Sequence, residues 1–239
     1  MKYNLRNNYP KVLVAVPTYE GKNYIFPECY KAIKAFTYPN YEIVIIDNTE
    51  SVDYFLKSKR AGYKEFVHVQ RGGNSRQALC NSQNYARKKA IDEGFDYLLF
   101  VESDLIPKPD IIESLIARAK PVLGSLYFIG TGGVQYPCLF LKEYKKDVMA
   151  MGTRMLLREE VPDYINKGLK QVHGLGLGTT LIRRDIFTRF PFWYDERFIN
   201  KHSDVYFYMD LDNNGVPVFV DTDIITPHFP SKWEDVKDR

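Results

Sequence analysis

The chain is predicted to be an α/β protein, with a mostly parallel central sheet flanked by helices and a mixed C-terminal half. Three observations predict it. Short β-rich apolar runs alternate with helix-length segments through the first half, the spacing of βαβ units with right-handed crossovers. The runs are bounded by turn residues, as buried strands are. The predicted carboxyl ends of the strands carry polar residues: Thr18-Tyr19-Glu20, Asp47-Asn48, Arg71 and Glu102-Ser103-Asp104. In open parallel sheets ligands sit beyond those ends.

Lys11 to Val16, KVLVAV, reads as the first strand, closed by Pro17. Lys22 to Phe36 has apolar residues at Ile25, Cys29, Ala32, Ile33 and Phe36, a helical spacing. Tyr41 to Asp47, YEIVIID, is the second strand, and Ser51 to Arg60 a helix stopped by Gly62. Glu65 to Gln70 is the third strand, followed by an Arg71–Asn74 loop and a long helix from Ser75 to Glu93 that ends at Gly94. Tyr97 to Val101, YLLFV, is the fourth strand, and Pro109 to Ala119 a helix with proline in its first turn. Beyond this the regularity fades. Val122 to Ile129, Val134 to Leu141, Gly178 to Ile182 and Val216 to Asp221 read as strands. Asp185 to Phe190 and Ser203 to Asn213 read as short helices, and Gly130-Thr131-Gly132-Gly133 as a turn. No repeat or flexible linker divides the sequence, so one domain is expected over residues 1–239, with a loosely held tail from about residue 229.

Composition narrows the classes. A hydrophobic fraction of 45% with 26% charged residues fits a soluble globular protein. A formal charge of +3, with the basic residues spread along the chain, gives no reason to expect a nucleic-acid partner. No run of about 18 apolar residues is present, and MKYNLRNNYP has no apolar core of a signal peptide. Cys29, Cys80 and Cys138 lie far apart and in no metal-type spacing, as reduced thiols would. A cytoplasmic location, with peripheral membrane contact at most, is the expectation.

The stretch FVESDLIP, residues 100–107, is the most specific local feature. If the strand continues, side chains alternate faces, so Glu102 and Asp104 share one side with Ser103 opposite. Two adjacent carboxylates repel, and one takes a proton unless a cation lies between them. Mg²⁺ or Mn²⁺ resolves the conflict with oxygen ligands and leaves positions open for phosphate oxygens. Acid-x-acid also arises as an ordinary strand end that caps the next helix, and the pair alone does not choose.

The surrounding segment, NYARKKAIDEGFDYLLFVESDLIP, resembles the core of GT-A nucleotide-sugar glycosyltransferases of the family-2 type, with Asn84, Ala90, Gly94, Asp96, Tyr97, Phe100, Asp104 and Pro109 in register. VLVAVPTYEG is similar to that family's first strand and nucleotide loop, and YEIVIIDNTE to its second strand. HGLGLGTTLIRRDIF and HSDVYFYMDLDNNGVPVFV resemble later family segments, so the likeness runs over roughly residues 10 to 230. It departs at two places: Glu102 stands where an Asp is usual, and Ser203-Asp204 where Glu-Asp is common.

The resemblance implies a GT-A, Rossmann-like fold with a nucleotide-binding half over about residues 10–120 and an acceptor and donor-sugar half over about 121–230. It implies transfer of a sugar from a UDP- or GDP-linked donor to a hydroxyl of a sugar, lipid-linked or protein acceptor. Asp104 would bind Mn²⁺ or Mg²⁺, and Glu102 would act directly, through water or through the ribose. His228 would complete the metal shell, or serve as an ordinary hydrogen-bonded histidine. Asp204 would be the general base of an inverting displacement, or a helix N-terminal acid. Pro17, Thr18, Tyr19 and Glu20 would wrap the nucleotide, with Tyr19 placed to stack on the base, unless they form a plain βα turn. Asp47 and Asn48 would meet base or ribose, or Asp47 would cap the next helix. Arg76, preferred to Arg71, would lie near the diphosphate, with Asn84 and Ser103 also on the donor side. Alternating glycines at Gly176 and Gly178 suggest close approach of a ligand, beneath donor sugar and acceptor in the family. Trp193 would offer an acceptor platform or pack in the core, and His173 is expected to be structural. A sugar-phosphate nucleotidyltransferase is the rival enzyme, although PTYEG lacks that class's Gly-rich basic loop. A non-catalytic nucleotide-sugar or carbohydrate-binding protein is the other alternative.

Overall fold

A strand with apolar side chains on both faces needs cover on both. The computed structural model, which describes residues 9–130, 135–143, 152–198 and 201–230, provides it. The first half runs β1 Val12–Thr18, a 3₁₀ turn Glu20–Lys22, α1 Phe26–Lys34, β2 Tyr41–Asp47, α2 Asp53–Arg60, β3 Phe66–His68, α3 Ser75–Asp92, β4 Tyr97–Val101 and α4 Ile111–Ala117. The second half begins with β5 Val122–Leu126, β6 Phe128–Ile129, β7 Tyr136–Pro137, β8 Leu139–Glu143 and β9 Gly152–Met155. A 3₁₀ turn Arg158–Asp163 leads to β10 Leu169–Val172, β11 Gly174–Leu175 and β12 Thr179–Arg183. Then come α5 Arg184–Phe187, α6 Ser203–Asn213 and β13 Val218–Ile225.

The main sheet has the order β10-β13-β5-β12-β4-β1-β2-β3. β1 lies parallel to both β2 and β4, and β3 parallel to β2. Alternation along β1 splits its side chains between two cores. Leu13 and Ala15 join Leu98 and Phe100 on one face, with Ala86 and Ala90 of α3 above them. Val12, Val14 and Val16 join Leu99 and Val101 on the other, under Phe26, Cys29 and Ile33 of α1. The strand order reverses between β1 and β4, which opens a crevice beyond their carboxyl ends. β12 enters antiparallel between β4 and β5, so its first residue, Thr179, pairs with the last of β4, Val101. The sheet is therefore parallel where the nucleotide-binding half was expected and mixed beyond it.

The expected helix over Lys22 to Phe36 forms only from Phe26, with Pro27 in its first turn. Ahead of it the chain turns more tightly, with Lys22 N donating to Tyr19 O (2.9 Å) and Ile25 N to Lys22 O (3.1 Å). The single strand expected over Val122 to Ile129 is broken at Tyr127, whose carbonyl accepts from Cys138 N at 2.8 Å. The strand expected over Val134 to Leu141 is two pieces, β7 and β8, with Val134 outside the described residues. Of the turn Gly130 to Gly133 only Gly130 is described, with φ 150°, and residues 231–239 of the tail lie outside the description. The last strand begins at Val218 and continues to Ile225, past its expected end at Asp221.

The segment 191–198 is fastened to α3. Asn84 donates to Phe192 O (2.7 Å) and accepts from Phe192 N (3.1 Å). Asn84→Ala leaves both backbone groups of Phe192 without these partners and is expected to destabilise the fold by about 2 kcal/mol in denaturant unfolding. A change below about 0.5 kcal/mol would show that water replaces them without loss.

Candidate active site

β4 stops at Val101, and the acids that follow are not on a strand. Glu102 N still bonds to Gly178 O (2.8 Å), but Leu105 N turns back to Glu102 O (3.0 Å). Residues 102–105 are thus a turn, and the strand alternation expected to align Glu102 with Asp104 does not apply. The carboxylates converge all the same, because the turn folds both toward the crevice. A second segment holds it there. Leaving β13, the chain passes β5 through Thr226 N to Leu126 O (2.8 Å) and then pairs with the turn. Ile106 N donates to Pro227 O (3.0 Å) and Phe229 N to Asp104 O (2.9 Å), around a bridge between Leu105 and His228. These bonds bring His228 beside Asp104, 124 residues earlier. One ligand atom from each of Glu102, Asp104 and His228 lies within 4.8 Å of the others.

Asp104 is 2% exposed. Its Oδ2 accepts from the Lys22 ammonium and from His228 Nε2 (3.2 Å). The other ring nitrogen of His228, Nδ1, donates to Phe128 O at 2.7 Å. Burial pushes the Asp104 carboxyl up, but the His228 hydrogen bond and the Lys22 charge prevail and hold it below the usual range. Burial pulls the His228 imidazole down, and the hydrogen bond to Asp104 more than reverses this. Glu102 is pushed up to about 7, first by burial and then by the Asp104 charge. The repulsion expected between neighbouring carboxylates is therefore met by a split: Asp104 ionised, Glu102 retaining its proton near neutrality.

Asp104 Oδ1 is buried and accepts no hydrogen bond, so a ligand position is left over. Two carboxylates and an imidazole form a donor set that fits Mn²⁺ or Mg²⁺. Asp204, in the first turn of α6, is near enough that its charge adds to the rise at Glu102, and burial raises its own pKa. Its Oδ1 accepts from Val205 N at 2.8 Å. Ser203, where an acid was expected by analogy, is buried and donates to Gln83 Oε1, which pins α6 to α3.

The structure brings together Glu102, Asp104 and His228, with Asp204 near enough to act on Glu102, and gives other sequence candidates different surroundings. Thr18 is buried with Oγ1 unpartnered, and Ser103 is buried. Pro17 is the last residue but one of β1, beside Ile46. The Tyr19 ring lies over Gly21, and Glu20 is exposed, its amide bonded to Thr49 Oγ1 (2.9 Å). Asp47 is fully buried: Oδ1 accepts from Thr49 N (2.9 Å) and Thr49 Oγ1 (2.6 Å), and Oδ2 meets His68 Nδ1 (2.9 Å). Asn48 is also buried and donates to Ser82 Oγ (3.1 Å).

Arg76, preferred to Arg71 on sequence, turns to the carbonyls of Asp195 (3.2 Å) and Phe198 (2.9 Å), and Asn84 holds Phe192. Arg71 is the arginine beside Asn48, 3.5 Å from its carbonyl. The close approach at Gly176 and Gly178 is made by the protein itself: a Cβ on Gly176 would lie 1.8 Å from Tyr127 Oη, and one on Gly178 2.5 Å from Leu105 Cδ1. Trp193 is 41% exposed, so it is not a core residue. Its ring lies 4.4 Å from that of Tyr206, and its indole N–H donates to Asp210 (2.7 Å). His173 Nδ1 lies 3.7 Å from Asp212 Oδ1. Lys22 was missed by sequence reasoning. Its only signal is a basic residue in the loop after β1, which helical spacing assigned to α1.

Residues 13–189 match the model of the family described as glycosyl transferase family 2. The match takes in Glu102 and Asp104 and stops short of Asp204 and His228. Among solved structures, residues 1–349 of S. aureus TarS in complex with UDP align with TM-score 0.56 and 19% identity over 95% of this chain and 62% of that one. A197 from STIV aligns with TM-score 0.48 and 15% identity over 92% of this chain and 86% of that one. No curated protein sequence matches the chain.

A cation at this cluster competes with the protons on Glu102 and His228, both held more tightly than usual. Mn²⁺ affinity is therefore expected to rise with pH through about 7, by roughly tenfold per pH unit for each proton displaced. Calorimetric titration across that range measures it, and a flat profile would place the cation elsewhere.

Proposed function

The chain belongs to glycosyl transferase family 2, and on that premise we propose that it moves a sugar from a UDP- or GDP-linked donor to an acceptor hydroxyl, with inversion and with Mn²⁺ or Mg²⁺ at Glu102, Asp104 and His228. The observation that carries this reading is the convergence of those three side chains, with a buried unpartnered Asp104 oxygen, at the end of β4 where the strand order reverses. When bound, the cation supplies Lewis-acid stabilisation of the charge that grows on the diphosphate as the sugar–oxygen bond breaks.

The protein's residues do the rest. Asp104, ionised through His228, is the fixed anionic ligand. Thr18 and the loop after it border the nucleotide, with Asp47 and Asn48 bracing that loop from inside: Asn48 N bonds to Thr18 O (2.9 Å) and Glu20 N to Thr49. Asp204 accepts the acceptor's proton; its raised pKa makes it a stronger base than a solvated aspartate. The exposed ring of Trp193, on the segment leading to α6 and packed against buried Tyr206 of α6, gives an acceptor sugar an apolar face to lie on.

The chain acts as one catalytic unit, because the segment after β13 of the second half, which carries His228, completes the site of the first. Among the described residues no helix is long and apolar enough to cross a membrane, so a lipid-linked acceptor would be met at the membrane surface. Buried free thiols at Cys29, Cys80 and Cys138 support a reducing, cytoplasmic setting.

Purified protein with Mn²⁺ is expected to release UDP or GDP from a nucleotide sugar. Asp104→Ala should lower turnover by about 10³-fold. Asp204→Asn should lower it by roughly 10²–10⁴-fold, with donor affinity retained. Full activity in Asp104→Ala would end the cation assignment, and loss of donor binding in Asp204→Asn would end the base assignment. Pyrophosphate release from a nucleoside triphosphate and a sugar phosphate would mark a nucleotidyltransferase instead.

A further inference from the structure

Lys22 already occupies cationic ground. Its ammonium contacts Asp104 Oδ2, the oxygen that His228 also approaches at 3.2 Å, while Oδ1 of the same carboxylate is buried and unpartnered. The two partners differ sharply in access: the Lys22 side chain is 25% exposed and that of Asp104 is 2% exposed. Lys22 stands on the 3₁₀ turn between β1 and α1, at the rim of the crevice where the strand order reverses. Its charge rides on a flexible four-carbon stem that swings without moving the backbone.

The charges set the sequence of events. In the empty site the Lys22 ammonium and His228 Nε2 share Asp104 Oδ2 as their acceptor. A divalent cation among Glu102, Asp104 and His228 would add two positive charges beside that oxygen. The Lys22 ammonium is then surplus and is repelled at short range in a partly buried setting. The anion within reach of the loop is the diphosphate of a bound donor, for which a lysine is a well-suited point charge.

Resting on the cation–diphosphate reading above, we propose that Lys22 is an exchangeable counter-ion. It neutralises Asp104 until the divalent cation binds and then transfers its ammonium to the donor diphosphate, so that loading of cation and of nucleotide is coupled through one side chain. Lys22 thereby opposes cation binding in the empty protein and favours nucleotide binding in the loaded one, two effects of opposite sign that a merely structural lysine would not produce.

The test is calorimetric titration of Mn²⁺ into nucleotide-free protein, and of UDP and GDP into Mn²⁺-saturated protein, for the wild type, Lys22→Met and Lys22→Arg. Lys22→Met is expected to bind Mn²⁺ more tightly and the nucleoside diphosphate more weakly, each on the order of tenfold. Lys22→Arg keeps a cation and is expected to restore most of the nucleotide affinity. Melting curves by circular dichroism establish that the variants are folded. Two unchanged affinities in Lys22→Met, or two that weaken together, would overturn the exchange while leaving the cation site standing. A wild type that takes Mn²⁺ and neither nucleotide would overturn both readings, as would one that takes no Mn²⁺.

Discussion

The short ladder between residues 104–106 and 227–229 is the contact on which the site depends. β13 is separated from β4 by β5 and β12, so nothing in the sheet itself would bring its end to the acids of β4. The ladder does so with backbone bonds from Ile106 to Pro227 and from Phe229 to Asp104. It fixes the imidazole, closes Asp104 away from solvent, and so separates the protonation of two neighbouring acids. Tyr24, which donates to Phe229 O at 2.7 Å, ties the same ladder to the loop that carries Lys22. The Lys22 loop, the two acids and the histidine are thus tied to one piece of main chain.

Much of the fold was legible because burial on both faces imprints itself on sequence. β1, β2 and β4 are near-continuous apolar runs, and every residue of β1 from Val12 to Val16 is buried. α3 announced its bounds chemically, with Asn74 capping Gln77 N (2.9 Å) and Gly94 at φ 73°. The pieces β6 to β11 carried no such imprint. They are two to five residues long, too short for a period, and β10 and β11 find their partners far away in the chain. Pairing of β11 with β8, for example, rests on Gly174 and Leu175 meeting Phe140 and Leu139.

At the site, the residue types were readable and their duties only partly so. Acid-x-acid at a strand end pointed to the crevice, although the geometry that aligns the pair is a turn. Asp47 shows the limit of the strand-end argument: an Asx-type contact to Thr49 was readable two residues on, but the third partner, His68, comes from the next strand. The glycine alternation was a sound sign of crowding and a poor sign of what crowds. Tyr127, at the break between β5 and β6, lies against both Gly176 and Gly178. Lys22 left no trace because its meaning is entirely tertiary.

The order in which the ladder's two sides leave the ribosome has a consequence of its own. β1 to β5 emerge early, yet the imidazole that joins Asp104 follows it by 124 residues. Of the two partners of Asp104 Oδ2, Lys22 precedes the aspartate in the chain and His228 follows it. The full set of contacts at Asp104 therefore requires both ends of the chain, from the turn after β1 to the segment after β13.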